Sequence, residues 1–177
     1  MPIDPASPSA TVPDWSREKK STFEWSPPRS LLASLRSYHR WKPRGILGWL
    51  PAKIAVLRHR FWSIITGCEI PLNTQVGGGL VMPHPNGVVI HPECTIGPNC
   101  LIFQQVTLGN RGSEGQEGVP VIGGHVDIGA GAKILGAVTI GDHAVIGANS
   151  VVLVDVPSGA TAIGVPARII FADDGAV

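Results

Sequence analysis

The chain has 177 residues, room for one domain with a core and a short appendage. Gly (22) and Pro (16) run at roughly twice average usage, and apolar residues reach 44% with only 6% aromatics, a balance that excludes a helical bundle and wholesale disorder. No run of about 18 apolar residues exists, the start lacks an apolar signal core, and three Cys argue against a disulfide framework; a cytoplasmic protein is expected. The net charge of +1 hides a segregation: residues 1–28 sum to −1, residues 29–68 carry eight bases and no acid, and residues 69–177 sum to −6.

Residues 1–28, with six prolines among Ser and Thr, read as a disordered tail. Residues 29–68 read as a basic helical cap. Leu31, Leu32, Leu35 and Tyr38 share one face of a helix over 29–41, which Pro43 and Gly45 end. A second helix over 52–66 gathers Ile54, Leu57, Phe61, Ile64 and Ile65 on one face, with Lys53, Arg58, His59 and Arg60 largely elsewhere. Two readings stay open: a cap over the end of the body, or a basic amphipathic element touching the anionic inner membrane surface. No nucleic-acid partner is expected.

From residue 70 the sequence repeats every six residues. The clearest aliphatic series is Ile122, Ile128, Ile134, Ile140, Ile146 and Val152, with small residues Val126, Ala132, Val138, Ala144, Ser150 and Val156 four positions after each. An earlier series runs Ile90, Ile96, Ile102 and Leu108, and a weaker one Ile70, Val76, Met82 and Val88, with two extra residues expected between Val88 and Ile90. A period of six fits neither a helix nor a plain strand. It describes the flat wall of a parallel β-helix, an all-β solenoid whose coils of about 18 residues stack about 4.8 Å apart. The Gly after each aliphatic is expected at the corner, where unusual φ is needed. Cys94 and Cys100 fall in the small inward slot, which leaves no metal or redox pair to explain. His125 and His143 stack one coil apart with no third ligand, so no metal is expected.

The main interruption is a polar, Gly-rich loop over 109–120 (NRGSEGQEGVP from Asn110), thrown out where six residues would do. The β-helix is expected over 69–170, with a C-terminal tail over 171–177.

The stretches PHPNGVVIHPECTIG, QQVTLGNRG, VIGGHVDIGAGAKILGAVTIGDHAVIGANSVV and AIGVPARII resemble the serine acetyltransferase group of left-handed β-helix, hexapeptide-repeat acyltransferases. The resemblance implies an acetyl-CoA-dependent O-acetyltransferase, a homotrimer or a dimer of trimers, with active sites between subunits. It places the catalytic His on His84, a general base toward the acceptor hydroxyl, with Glu69 where the family has an orienting Asp; His91 is a weaker base candidate. Acetyl-CoA contacts fall on Thr107, Gly109, Asn110, Ala130 and Ala148, with Arg168 as a phosphate contact. Pro83 stands where the group has an Asp, Gly118 and Val119 where it has an Arg-His pair, and the N-terminal helical domain is short. These departures resemble the short polysaccharide-biosynthesis (colanic-acid type) branch. The expected acceptor is therefore a sugar hydroxyl in polysaccharide biosynthesis, with serine O-acetylation for cysteine biosynthesis as the alternative.

Overall fold

A computed structural model describes residues 8–21, 24–112 and 117–171. A 3₁₀ turn (Trp15–Glu18) is followed by α1 (Pro27–Trp41) and α2 (Gly45–Thr66). Thirteen short strands follow among the described residues: β1 (Gln75–Val76), β2 (Val89–Ile90), β3 (Thr95–Ile96), β4 (Leu101–Ile102), β5 (Thr107–Gly109), β6 (Val121–Ile122), β7 (Asp127–Ile128), β8 (Lys133–Leu135), β9 (Thr139–Ile140), β10 (Val145–Ile146), β11 (Val151–Val152), β12 (Thr161–Gly164) and β13 (Ala167–Ile170).

Each strand but β13 pairs in parallel with the strand one coil away, giving three flat faces. Face A runs β2-β5-β8-β11, face B β1-β3-β6-β9, and face C β4-β7-β10-β12-β13. Glu69 and Val81 extend faces A and C by single bridges to Val89 and Leu101. The hexad aliphatics Ile90, Ile96, Ile102, Leu108, Ile122, Ile128, Ile134, Ile140 and Ile146 are buried, and so are Cys94, Cys100, Val106, Val126, Ala132, Ala144 and Ser150 in the small slot. Large and small side chains alternate so that each layer fills, and each buried aliphatic contributes about 1.5–3 kcal/mol.

The glycines after the aliphatics do a different job from the expected one. Gly97, Gly123, Gly129, Gly141 and Gly147 have ordinary φ. They are small because the next coil lies against them: a Cβ on Gly129 would meet Ala148 N at 2.6 Å. The left-handed conformation falls two residues later, on Asn99, Gln105, His125, Gly131, His143 and Asn149.

The two extra residues of the second coil are not between Val88 and Ile90. Val88 is fully buried in the slot that Val106 fills one coil on. Gln105 N donates to Asn86 O (3.0 Å), so the ladder is in step by Asn86. The insertion therefore lies at Pro83–Pro85, around His84.

The N-terminal segment is also corrected over its described part. Residues 8–21 form a strap along the corner between faces B and C. Asp14 N donates to Asn99 Oδ1 (2.7 Å), and Asn99 Nδ2 donates to Ser9 O (2.7 Å) and Val12 O (2.8 Å). Glu18 pairs with Arg36 of α1 (2.8 Å) and accepts from Gly79 N (2.7 Å). Proline richness says only that the segment forms no ladder of its own; the β-helix supplies its partners. Residues 1–7, and 172–177 of the expected C-terminal tail, lie outside the described residues.

Helix α1 begins at Pro27 behind Ser26, with Pro in its first turn. It sinks Leu31, Leu32 and Leu35 into the core against the first coil. Helix α2 starts earlier than expected and passes through Pro51. Its inner face is Gly48, Ala55, His59 and Thr66. His59 is tied to Ile70 O through Nε2 (2.7 Å) and to Ser34 Oγ through Nδ1 (3.0 Å). The apolar set Ile54, Leu57, Phe61, Ile64 and Ile65 is exposed instead of packed on the body.

At the far end, β13 pairs antiparallel with β12, Ile163 opposite Arg168. Residues 167–170 are thus a returning hairpin strand, not a further parallel coil. No described helix is long and apolar enough to cross a membrane.

Candidate functional site

The corner between faces C and A is a column of backbone links. Gln105 N donates to Asn86 O, Gly131 N to Gln104 O (2.8 Å) and Asn149 N to Ala130 O (2.8 Å). Ala130 and Ala148 belong to this edge, one coil apart. His84 enters the same edge from the inserted Pro83–Pro85 segment: its side chain is exposed while Pro85 beneath it is buried. His84 is thus offered to solvent on the edge that also carries the small residues Ala130 and Ala148.

Beside that edge, face A carries one outward column: Glu69, Val89, Thr107, Lys133 and Val151, paired in sequence from coil to coil. Thr107 thus lies next to the His84 edge. Glu69 heads the column, and no hydrogen bond or ion pair joins it to His84 among the described residues. Glu69 and His84 are 15 residues apart, short of one coil, and the Glu side chain, longer than the family's Asp, does not bridge that offset.

Gly109 ends β5 at the opposite border of face A, where the extruded loop leaves. Asn110 and Arg111 are exposed there. Arg111 and Glu117 border a cavity of about 230 Å³ with Leu135, Gly136, Ala137 and Leu153. Loop residues 113–116 lie outside the described residues. Within one chain, then, His84, Thr107, Ala130 and Ala148 share one side of face A, while Gly109 and Asn110 sit at the other. Arg168 is exposed on β13, at the hairpin end of the stack. His91 starts the face A-to-B corner, and its Nδ1 accepts from Glu93 N (3.3 Å), which occupies it structurally.

Two side chains the sequence reading passed over shape the His84 edge. Gln105 Nε2 donates to Asn86 Oδ1 (3.1 Å), and Lys133 Nζ donates to Gln105 O. Lys133 was legible as one of three bases after residue 68. A second cavity, about 510 Å³, adjoins Pro83 and is lined by Arg17, Glu24, Arg29, Leu32 and Met82.

The other candidates show inert chemistry. Burial pushes the Cys68 thiol up to about 12 and those of Cys94 and Cys100 up to about 11, far from a nucleophile. His125 and His143 face each other Nδ1 to Nδ1 at 2.8 Å, a geometry that needs one proton between them. Burial holds His125 below the ordinary imidazole range. No group of three or more metal-ligating side chains occurs among the described residues.

Residues 120–153 match the bacterial transferase hexapeptide family (six repeats). The chain is 44% identical over 122 residues to a serine acetyltransferase of Synechococcus elongatus, covering 69% of this chain and 50% of that protein. It is 49% identical over 120 residues to one of Staphylococcus xylosus, covering 68% and 56%. The soybean serine acetyltransferase apoenzyme superposes with a TM-score of 0.70 at 35% identity, over 82% of this chain and 58% of that one. A serine acetyltransferase complex with CoA gives 0.67 at 35%, over 82% and 58%. The chain spans about half the length of the curated relatives it matches. These relatives overturn the polysaccharide reading and its colanic-acid branch. That reading rested on Pro83, Gly118, Val119 and a short N-terminal part, a handful of positions set against 44–49% identity over some 120 residues.

Proposed function

We propose that this chain, a hexapeptide-repeat transferase with serine acetyltransferase homologues, is an O-acetyltransferase that moves the acetyl group of acetyl-CoA to the hydroxyl of L-serine. The observation that carries the reading is His84, exposed on the same edge as Ala130 and Ala148 and inserted there by Pro83–Pro85. His84 takes the proton of the serine hydroxyl as that oxygen attacks the thioester carbonyl. The tetrahedral intermediate then collapses, the C–S bond breaks, and the proton passes to the departing CoA sulfur. No covalent enzyme intermediate is required, because both substrates are held side by side.

The pantetheine arm follows the column Thr107, Ala130 and Ala148, whose backbone groups and small side chains allow close approach. Gly109, Asn110 and Arg168 belong to the same donor site across a subunit boundary. His84 and the loop lie at opposite borders of face A in one chain, which supports a trimer, alone or paired, in which a neighbouring copy completes the site. Glu69, the carboxylate heading the adjacent column, stabilises the imidazolium through the field it sets up. Acetyl-CoA as donor places the reaction in the cytoplasm.

The test is thiol release from acetyl-CoA by the purified chain. The expected result is saturable release that depends on L-serine. Release no faster with serine than without it refutes the proposal.

A further inference from the structure

Helix α2 presents two apolar faces, and only one is used. At about 100° per residue, Gly48, Ala55, His59 and Thr66 define the inner line. Ile46, Leu50, Leu57, Phe61 and Ile64 lie within about 60° of the opposite line. They are 95, 58, 66, 52 and 81% exposed. The helix thus carries a continuous outward stripe that stays largely exposed among the described residues, its one ring contact being Phe61 with the neighbouring Trp62 (5.0 Å). Single exposed aliphatics are ordinary, but a contiguous stripe of this length marks a contact surface.

The flanks identify what covers it. Lys53 and Arg60 border one side of the stripe and Arg58 the other, all exposed, and none is paired with a carboxylate among the described residues. Arg36 and Arg29, by contrast, are met by Glu18 and Glu24. Between residues 29 and 68 the chain has no acid at all. Laying this stripe on the same stripe of a second copy would set cation against cation with no partner. An anionic lipid surface takes both features at once: acyl chains receive the stripe, and headgroup phosphates receive the flanks. Trp49, 62% exposed beside the stripe, suits the boundary between the two layers. The helix is not apolar enough to cross, so it lies in the plane.

We propose that α2 docks the protein on an anionic bilayer, with Leu50, Leu57, Phe61 and Ile64 in the interface and Lys53, Arg58 and Arg60 on the headgroups. The surface is separate from the His84 edge, and the proposal does not depend on the acceptor.

The experiment is co-sedimentation of the full chain with vesicles of phosphatidylcholine alone and of phosphatidylcholine mixed with phosphatidylglycerol. The wild type is expected to bind the mixed vesicles and not the neutral ones, and to release in high salt. The triple variant Lys53→Gln/Arg58→Gln/Arg60→Gln is expected to bind about a hundredfold more weakly, about fivefold per cation. Leu50→Ser/Leu57→Ser/Phe61→Ser is expected to lose binding, and both variants keep the wild-type circular dichroism and thiol-release rate. Any of three results overturns the proposal: no binding to the mixed vesicles, equal binding to both kinds, or undiminished binding by either variant. If the serine triple instead splits a larger oligomer while wild type ignores vesicles, the stripe is a subunit interface. A wild type that binds as expected but releases no thiol refutes the acetyltransferase reading alone.

Discussion

Asn99 is the residue on which the N-terminal strap hangs, and Asn99→Ala tests that in a way the structure makes quantitative. Its side chain is fully buried and makes three hydrogen bonds, to Asp14 N, Ser9 O and Val12 O. Each is worth about 1 kcal/mol net, so about 3 kcal/mol of strap docking goes with the amide. The residue also sits at φ 62°, where Ala costs about 1 kcal/mol more than Asn or Gly. Asn99→Gly therefore loses the bonds without the strain, and the two variants should differ by about 1 kcal/mol in global stability. The coils do not depend on these three bonds, so the strap detaches before the β-helix opens. The loss appears first as faster amide exchange over residues 9–17, by about two orders of magnitude for about 3 kcal/mol. Hydrogen exchange by mass spectrometry reads the strap, and urea midpoints read the global term. Wild-type protection of the strap in Asn99→Ala would refute this account of what holds it.

His84→Ala is expected to cut serine-dependent turnover by about 10²–10⁴-fold while leaving acetyl-CoA affinity near wild type, measured by steady-state kinetics and calorimetry. Gly129→Ala drives a Cβ to 2.6 Å from Ala148 N and is expected to cost about 1–3 kcal/mol in urea unfolding. Gly109→Ala, with nothing within 4 Å, is its control and is expected to stay within about 0.5 kcal/mol. Burial lowers the folded-state pKa of His59 and of His125, so both proton sites are weaker in the folded chain than in the unfolded one. Stability is then full above the ordinary imidazole range and falls as pH drops below about 6.5, a slope that calorimetry at several pH values should show and His59→Gln should reduce. With thiol values pushed up to about 11–12, Cys68, Cys94 and Cys100 are expected to stay silent to a disulfide reagent at neutral pH until the chain is denatured. Reaction of the native protein would mean the slots open.

The coils were legible because one physical demand repeats: every sixth residue fills a layer, and a register error would turn the filling outward. The same periodicity explained Cys94 and Cys100 without chemistry. What periodicity gives for α2 is which residues share a face, and not which face the body takes. The small line Gly48, Ala55 and His59 packs closer than the bulky line Leu57, Phe61 and Ile64 can, and it won. The strap was hidden for a related reason. Its order is borrowed from Asn99, some 85 residues away, and no local signal encodes a borrowed partner. At the site, His84, Ala130 and Ala148 follow from the family resemblance, and spacing adds only that the two alanines lie one coil apart. The insertion was set between Val88 and Ile90 because both are aliphatic; burial of Val88 moves it onto His84. The Glu69 contact depended on an arm length that spacing does not measure.

The returning strand β13 has a consequence for the species the chain can form. A stack of like coils has no natural length: its last coil offers a row of unused backbone groups to the next molecule's first. Here α1 lies over one end, and at the other β13 runs the wrong way to be extended in register. On face C, then, a further parallel coil cannot be added in register beyond β12, and at the other end the first coil is covered by α1. A pattern suited to endless fibres thus carries its own stop on that face, written into four residues that turn back instead of starting another coil.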